Sequence, residues 1–94
     1  MLDISRDENG TVFLKGIFDG SQSDEARRYF DGIAVSCDID FRDLKYISSA
    51  GLGVLMAAQK RLVGQGAKLR LVNMSPQIRK IFDMVAFGVM FEIK

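Results

Sequence analysis

Histidine and tryptophan are missing from this sequence, and cysteine and proline occur once each. Without histidine, imidazole acid–base catalysis and most zinc sites are excluded. The single cysteine, Cys37, allows no intrachain disulfide, and its apolar-flanked position reads as a buried thiol. No apolar run approaches the roughly 20 residues that span a bilayer, and the opening Met1–Asp7 lacks the pattern of a signal peptide. Charge of one sign is lacking too: 13 Lys and Arg against 12 Asp and Glu leave a formal net charge of +1. That balance makes no electrostatic case for nucleic acid or for direct membrane binding. P-loop, GxGxxG, CxxC and nucleophile-elbow patterns are absent, and Gly51-Leu52-Gly53 is too short for a phosphate-binding loop. The expectation is a soluble cytoplasmic protein with no cofactor and no metal, and a small enzyme or nucleotide-binding domain is the least favoured reading.

What is present suits one globular domain over residues 1–94, with 48% hydrophobic and 27% charged residues. A chain of this size hides roughly two-thirds of its unfolded surface without disulfide or metal. Residues 2–7 and 10–17 read as strands around Glu8-Asn9-Gly10, a strong hairpin signal. In the second run Val12, Leu14 and Gly16 alternate with Thr11, Phe13, Lys15 and Ile17. Ser23 followed by Asp24 and Glu25 starts a short helix with Ala26, Tyr29, Phe30 and Ile33 as its stripe, ending near Gly32.

Residues 34–41 read as a strand that stops at Arg42-Asp43. Beyond Ser48-Ser49, Leu52, Leu55, Met56, Ala58, Leu62 and Val63 recur at helical spacing until Gly64-Gln65-Gly66 stops the helix. Leu69, Leu71 and Val72 form the next strand. Ser75-Pro76 pairs an N-cap with a proline at the first helical position, and Ile78, Ile81, Phe82 and Val85 give that helix its stripe. A last strand covers 88–93. The order β-β-α-β-α-β-α-β predicts an α/β fold: a small mixed sheet with an N-terminal antiparallel hairpin, then parallel strands with right-handed helical crossovers.

The junction Lys45-Tyr46-Ile47-Ser48-Ser49-Ala50-Gly51-Leu52-Gly53 stands out, because two hydroxyls sit where a strand hands over to a helix. A serine there can cap the helix. The same helix end favours phosphate, since no acid occupies its first turn.

Taken together, Gly16-Ile17-Phe18-Asp19, Asp40-Phe41-Arg42-Asp43-Leu44, the Ser48-Ser49 junction, Leu71-Val72-Asn73-Met74-Ser75-Pro76 and Ile81-Phe82-Asp83-Met84 resemble the STAS domain family. Within it they are similar to the stand-alone bacterial anti-sigma factor antagonists. The resemblance implies a STAS-like fold and phosphorylation of Ser49, with Ser48 the lesser candidate. It implies an anti-sigma factor serine kinase and a PP2C-like phosphatase as partners. The unphosphorylated form would bind the anti-sigma factor and release the sigma factor, and phosphorylation would end binding. Asp19 matches a family acid near the phosphorylation site, and Asp40 and Asp43 match polar positions at the end of the preceding strand. Ser48 stands where the family often has Asp, and Ala86 where glycine is common. Many relatives carry a further C-terminal helix, so Val89 or Phe91 is expected to be exposed or available to another subunit.

The bland reading of Ser49 is a satisfied N-cap, worth about 1 kcal/mol. Asp19, Asp40 and Asp43 read more readily as solvated carboxylates, or as supports for the serine loop, than as a metal pocket. On the helix after the junction, Gly53, Ala57 and Lys60 form a small, polar face open to a partner, next to Ser48, Ser49 and Gly51. With Asp19 and Asp43 these are the candidate partner-binding residues. The alternative function is a STAS subunit of a larger transporter or signalling complex, with Ser49 only a cap and contact.

Overall fold

A computed structural model describes residues 1–84 and 91–94. Five strands form one sheet in the order β1-β2-β3-β4-β5. They are β1 (Leu2–Arg6), β2 (Val12–Phe18), β3 (Cys37–Ile47), β4 (Leu69–Val72) and β5 (Glu92–Ile93), and the helices are α1 (Ser23–Asp31), α2 (Ser49–Gly64) and α3 (Pro76–Met84). β1 and β2 pair antiparallel, and the other neighbours pair parallel. Because β2 to β5 step across the sheet in one direction, right-handed crossovers place all three helices on one face.

The strands' burial follows that arrangement. Val12, Leu14, Ile39, Phe41, Leu69 and Leu71 are buried under the helices, whereas Asp3, Ser5, Lys15 and Asp43 are exposed. Phe41 and Phe82 meet edge to face at 5.7 Å, and Phe82 and Phe91 at 6.1 Å. Phe91 is therefore core (6% exposed) and not the exposed residue expected. Val85, Ala86 and Val89 lie outside the described residues, and so does the start of the predicted last strand.

The main departure from expectation is β3. It begins at Cys37 rather than at residue 34 and runs through Arg42-Asp43 to Ile47. Two bulges explain why its second half does not look like a strand. The pairing jumps from Phe13↔Asp40 to Lys15↔Asp43, and again from Gly16↔Leu44 to Ile17↔Tyr46, each time with one extra residue in β3. Each bulge flips the strand's period-2 pattern. The buried residues Phe41, Leu44 and Ile47 thus come at intervals of three, a spacing that breaks the strand alternation.

At the first bulge the Asp40 carboxylate accepts from the Arg42 amide (2.8 Å) and the Asn73 side-chain amide (2.8 Å). It thereby ties the bulge to the turn after β4, and Asn73 adopts a left-handed φ of 58° there.

The hairpin turn is organised one residue earlier than read, by Asp7, whose carboxylate accepts from the Asn9 and Thr11 amides. α1 is preceded by a 3-10 turn over Gly20–Gln22. α2 is buried over more than one stripe: Val54 and Gln59 are buried beside Leu52, Leu55, Ala58 and Leu62. Val63, by contrast, is 57% exposed and leaves the predicted apolar stripe. Ser75 caps α3 through its hydroxyl, which accepts from the Ile78 amide at 3.2 Å. No helix among the described residues is long and apolar enough to cross a membrane.

Candidate functional site

β2 and β3 end side by side, and the Ser48 amide donates to the Phe18 carbonyl at 2.9 Å. Ligands of open α/β sheets meet the chain at such carboxyl ends of strands. The turn after β2 and the start of α2 are correspondingly close. A Cβ built on Gly20 would lie 3.9 Å from the Ala50 Cβ.

The two serines divide their work in a way that corrects the capping assignment. Ser48, not Ser49, is the N-cap: its backbone is extended (φ −89°, ψ 173°) and its hydroxyl accepts from the Gly51 amide at 3.3 Å. Ser49 is the first residue of α2 and is exposed. Among the described residues its hydroxyl has no hydrogen-bond partner. The Ser49 and Ala50 amides also lack intrahelical acceptors, being in the first turn. Both the hydroxyl and the positive helix end therefore face solvent together.

Gly51 lies beneath this turn, buried. A Cβ there would meet the Ile47 side chain at 2.9 Å and the Phe18 ring at 3.0 Å, so only glycine lets the helix sit this close to the ends of β2 and β3. Its side faces the core, and it holds the site's shape from inside.

Asp19 is half-buried at the end of β2, where it caps the 3-10 turn. Its carboxylate accepts from the Ser21 hydroxyl at 2.7 Å and the Ser21 amide at 2.9 Å, while Gln22 Oε1 accepts from the Asp19 amide. Those bonds from Ser21, hydroxyl first, hold the Asp19 carboxyl below its ordinary value. Beside the serines, then, stands an ionised acid.

The remaining candidates divide into two groups. Ser49, Gly53, Ala57 and Lys60 fall at offsets of four, eight and eleven residues, on one face of α2. Ser49, Ala57 and Lys60 are exposed, and a Cβ on Gly53 would meet nothing within 4 Å. Val63 extends this strip at its far end. Asp43 is exposed but sits opposite Lys15 on β3, roughly 15 Å along the strand from Ser48. Asp40 is buried at the first bulge, farther still. The three acids Asp19, Asp40 and Asp43 are not gathered into one pocket.

Two residues passed over in the sequence border the site. Ile17 and Tyr46 are cross-strand partners, 40% and 50% exposed, each two residues before the loop its strand feeds. They give the sheet's open face an apolar spot next to Asp19 and Ser48. Alternation with the buried Phe18 and Ile47 marks both as outward-facing. Arg61 donates to the carbonyls of Phe30 (2.9 Å) and Ile33 (2.7 Å) and so ties α2 to the end of α1.

The STAS domain family model matches residues 4–94. A STAS-domain containing protein of Pseudomonas aeruginosa (strain UCBPP-PA14) is 29% identical over 86 residues, covering 88% of this chain and 85% of the relative. The anti-sigma-B factor antagonist of Bacillus subtilis (strain 168) is 33% identical over 55 residues, 58% of this chain and 50% of the relative. Among solved structures, the unphosphorylated anti-sigma factor antagonist SpoIIAA superposes with a TM-score of 0.72 at 21% identity, covering all of this chain (100%) and 87% of its own. A sulfate transporter family protein from Wolinella succinogenes gives 0.72 at 18% identity, covering 84% of this chain and 67% of its own. At those identities the structural likeness is one of fold.

Proposed function

The chain belongs to the STAS domain family, and from that premise we propose that it is a phosphorylation-controlled antagonist of an anti-sigma factor. In this reading the unphosphorylated chain binds an anti-sigma factor serine kinase in the cytoplasm and frees the sigma factor. The kinase transfers phosphate from ATP to Ser49, the complex separates, and a PP2C-like phosphatase resets the chain.

The observation that carries the proposal is the division between the two serines. Ser48 spends its hydroxyl on the Gly51 amide, while the Ser49 hydroxyl is exposed and unengaged. Similarity to the Bacillus subtilis antagonist supports the choice of partner. Phosphate adds about −1.5 to −2 charges at one point. The free amides of α2 favour that charge within the chain, so the fold survives. A partner surface fitted to a neutral hydroxyl beside the ionised Asp19 does not accept it.

Intact-mass measurement after incubation with ATP and an anti-sigma factor serine kinase tests the assignment. One phosphate is expected on the wild type and on Ser48→Ala, and none on Ser49→Ala. Ser49→Asp should bind the kinase more weakly, and equal binding would defeat the charge switch.

The fold shared with a sulfate transporter family protein supports a second reading, as a subunit of a larger assembly. Ser49 would then be a contact only, because the cap belongs to Ser48. Binding unchanged in both Ser49→Ala and Ser49→Asp would favour it.

A further inference from the structure

At the side of the sheet remote from β5, β1 is an edge strand whose free backbone groups can be identified. Ile17 donates to the Met1 carbonyl, and Asp7 donates to the Thr11 carbonyl. In an antiparallel pair, hydrogen-bonded and non-hydrogen-bonded positions alternate. The odd-numbered residues of β1 thus bond to β2, and the N–H and C=O groups of Leu2, Ile4 and Arg6 point outward. Among the described residues no strand pairs with this edge, and β1 carries no proline, its charged residues being Asp3 and Arg6.

Beside the edge, between β1 and α1, lies a groove of about 310 Å³ lined by Leu2, Ile4, Ala26 and Tyr29, with Glu25 and Arg28 among the polar side chains. Leu2, Ile4 and Tyr29 are only partly buried against the core. Glu25 and Arg28 lie three residues apart on α1, so a twofold axis passing between them sets each opposite the other in a second copy.

We propose that this edge is the interface of a twofold dimer, in which β1 of one copy pairs antiparallel with β1 of a second copy about Ile4. Centring on Ile4 sets Leu2 opposite Arg6 of the second copy and Ile4 opposite itself, so all the outward-facing backbone groups are satisfied at once. Asp3 then faces Ser5, and no like charges oppose one another. The two sheets become continuous, the grooves along α1 face each other, and Glu25 lies toward Arg28 of the second copy. The occupant is a second copy rather than an unrelated strand because the groove presents Glu25 and Arg28 together, a charge pair that a twofold axis matches to itself.

Light scattering of the intact chain across a concentration series tests the dimer. The mass is expected to rise to twice that of the monomer. Glu25→Arg and Arg28→Glu, both at exposed positions, are each expected to weaken the dimer by about tenfold or more, through like charges meeting at the axis. The double reversal is expected to restore it. In a Cys37→Ser background, Ile4→Cys should form an intermolecular disulfide, since directly opposed residues of a hydrogen-bonded pair sit about 5.5 Å apart, within bridging range. A monomer at every concentration would overturn the proposal. So would a dimer indifferent to the single reversals, or one not restored by the double.

Discussion

The amide of Ser48 donates to the carbonyl of Phe18 at 2.9 Å, fastening the end of β3 to the end of β2 one residue before Ser49. Through that bond the turn after β2, with Asp19, and the first turn of α2, with Ser49, become one surface. The same Ser48 then caps α2 with its hydroxyl. It is thus a structural residue at both ends, and Ser49 is left free.

The two serines should accordingly separate in stability. Ser48→Ala is expected to cost about 1 kcal/mol, the usual loss of an N-cap. Ser49→Ala should stay within about 0.5 kcal/mol of wild type, as exposed substitutions do. Urea unfolding of both variants checks this; an equal loss in Ser49→Ala would contradict the capping geometry.

Gly51 and Gly53 make a second pair of opposites. Gly51→Ala forces a Cβ against Phe18 and Ile47 and should destabilise the chain by about 1–3 kcal/mol. Gly53→Ala enters open space and should stabilise α2 by up to about 1 kcal/mol. If the strip from Ser49 to Lys60 receives a partner, the same Gly53→Ala change weakens binding while raising Tm. Thermal unfolding and titration calorimetry of one variant read both effects.

Arg61→Met keeps much of the side chain's apolar stem but removes donors from the carbonyls of Phe30 and Ile33. The expected loss is about 1–3 kcal/mol, because two carbonyls near the end of α1 lose a charged partner. Hydrogen exchange should quicken first at the end of α1. Exchange that quickens uniformly would show that the contact is not local.

Acid sensitivity should come from the charged row across β3, β4 and β5. Arg70 pairs with Asp38 at 2.8 and 2.9 Å, and Lys68 with Glu92 at 2.6 Å. The Arg70 hydrogen bond holds the Asp38 carboxyl below its ordinary value, and the Lys68 hydrogen bond does the same for Glu92. A carboxylate with a depressed folded-state pKa stabilises the fold above its unfolded pKa, and that contribution is lost as pH falls through the lowered value. Stability should therefore fall below about pH 4. Arg70→Met should flatten that fall, because Asp38 then loses the hydrogen bond that most lowers its pKa. Unfolding free energies at a series of pH values measure the slope, and an unchanged slope would remove Asp38 from the account.

Much of this was legible in the sequence because it rests on local chemistry. Val12 and Leu14 alternate, Leu52, Leu55 and Leu62 recur at helical spacing, and Ser75-Pro76 announces a helix start. The β-β-α-β-α-β-α-β order follows, and so does the junction where the site lies. What periodicity could not show was β3 beyond Phe41, since two bulges turn its alternation into steps of three, and a bulge is a property of a strand paired with its neighbour.

The cap is a second example. Ser48 and Ser49 are chemically the same residue, and which one turns its hydroxyl to the Gly51 amide depends on where Phe18 stops the strand. Burial of Phe91 against Phe82, the hold of Arg61 on α1 and the approach of Gly20 to Ala50 likewise join residues distant in sequence. The sequence alone determined which elements form and in what order, because propensity, period and capping act over a few residues. Only the tertiary structure decided which serine is free and what stands beside it, because those depend on contacts between strands that the chain brings together from far apart.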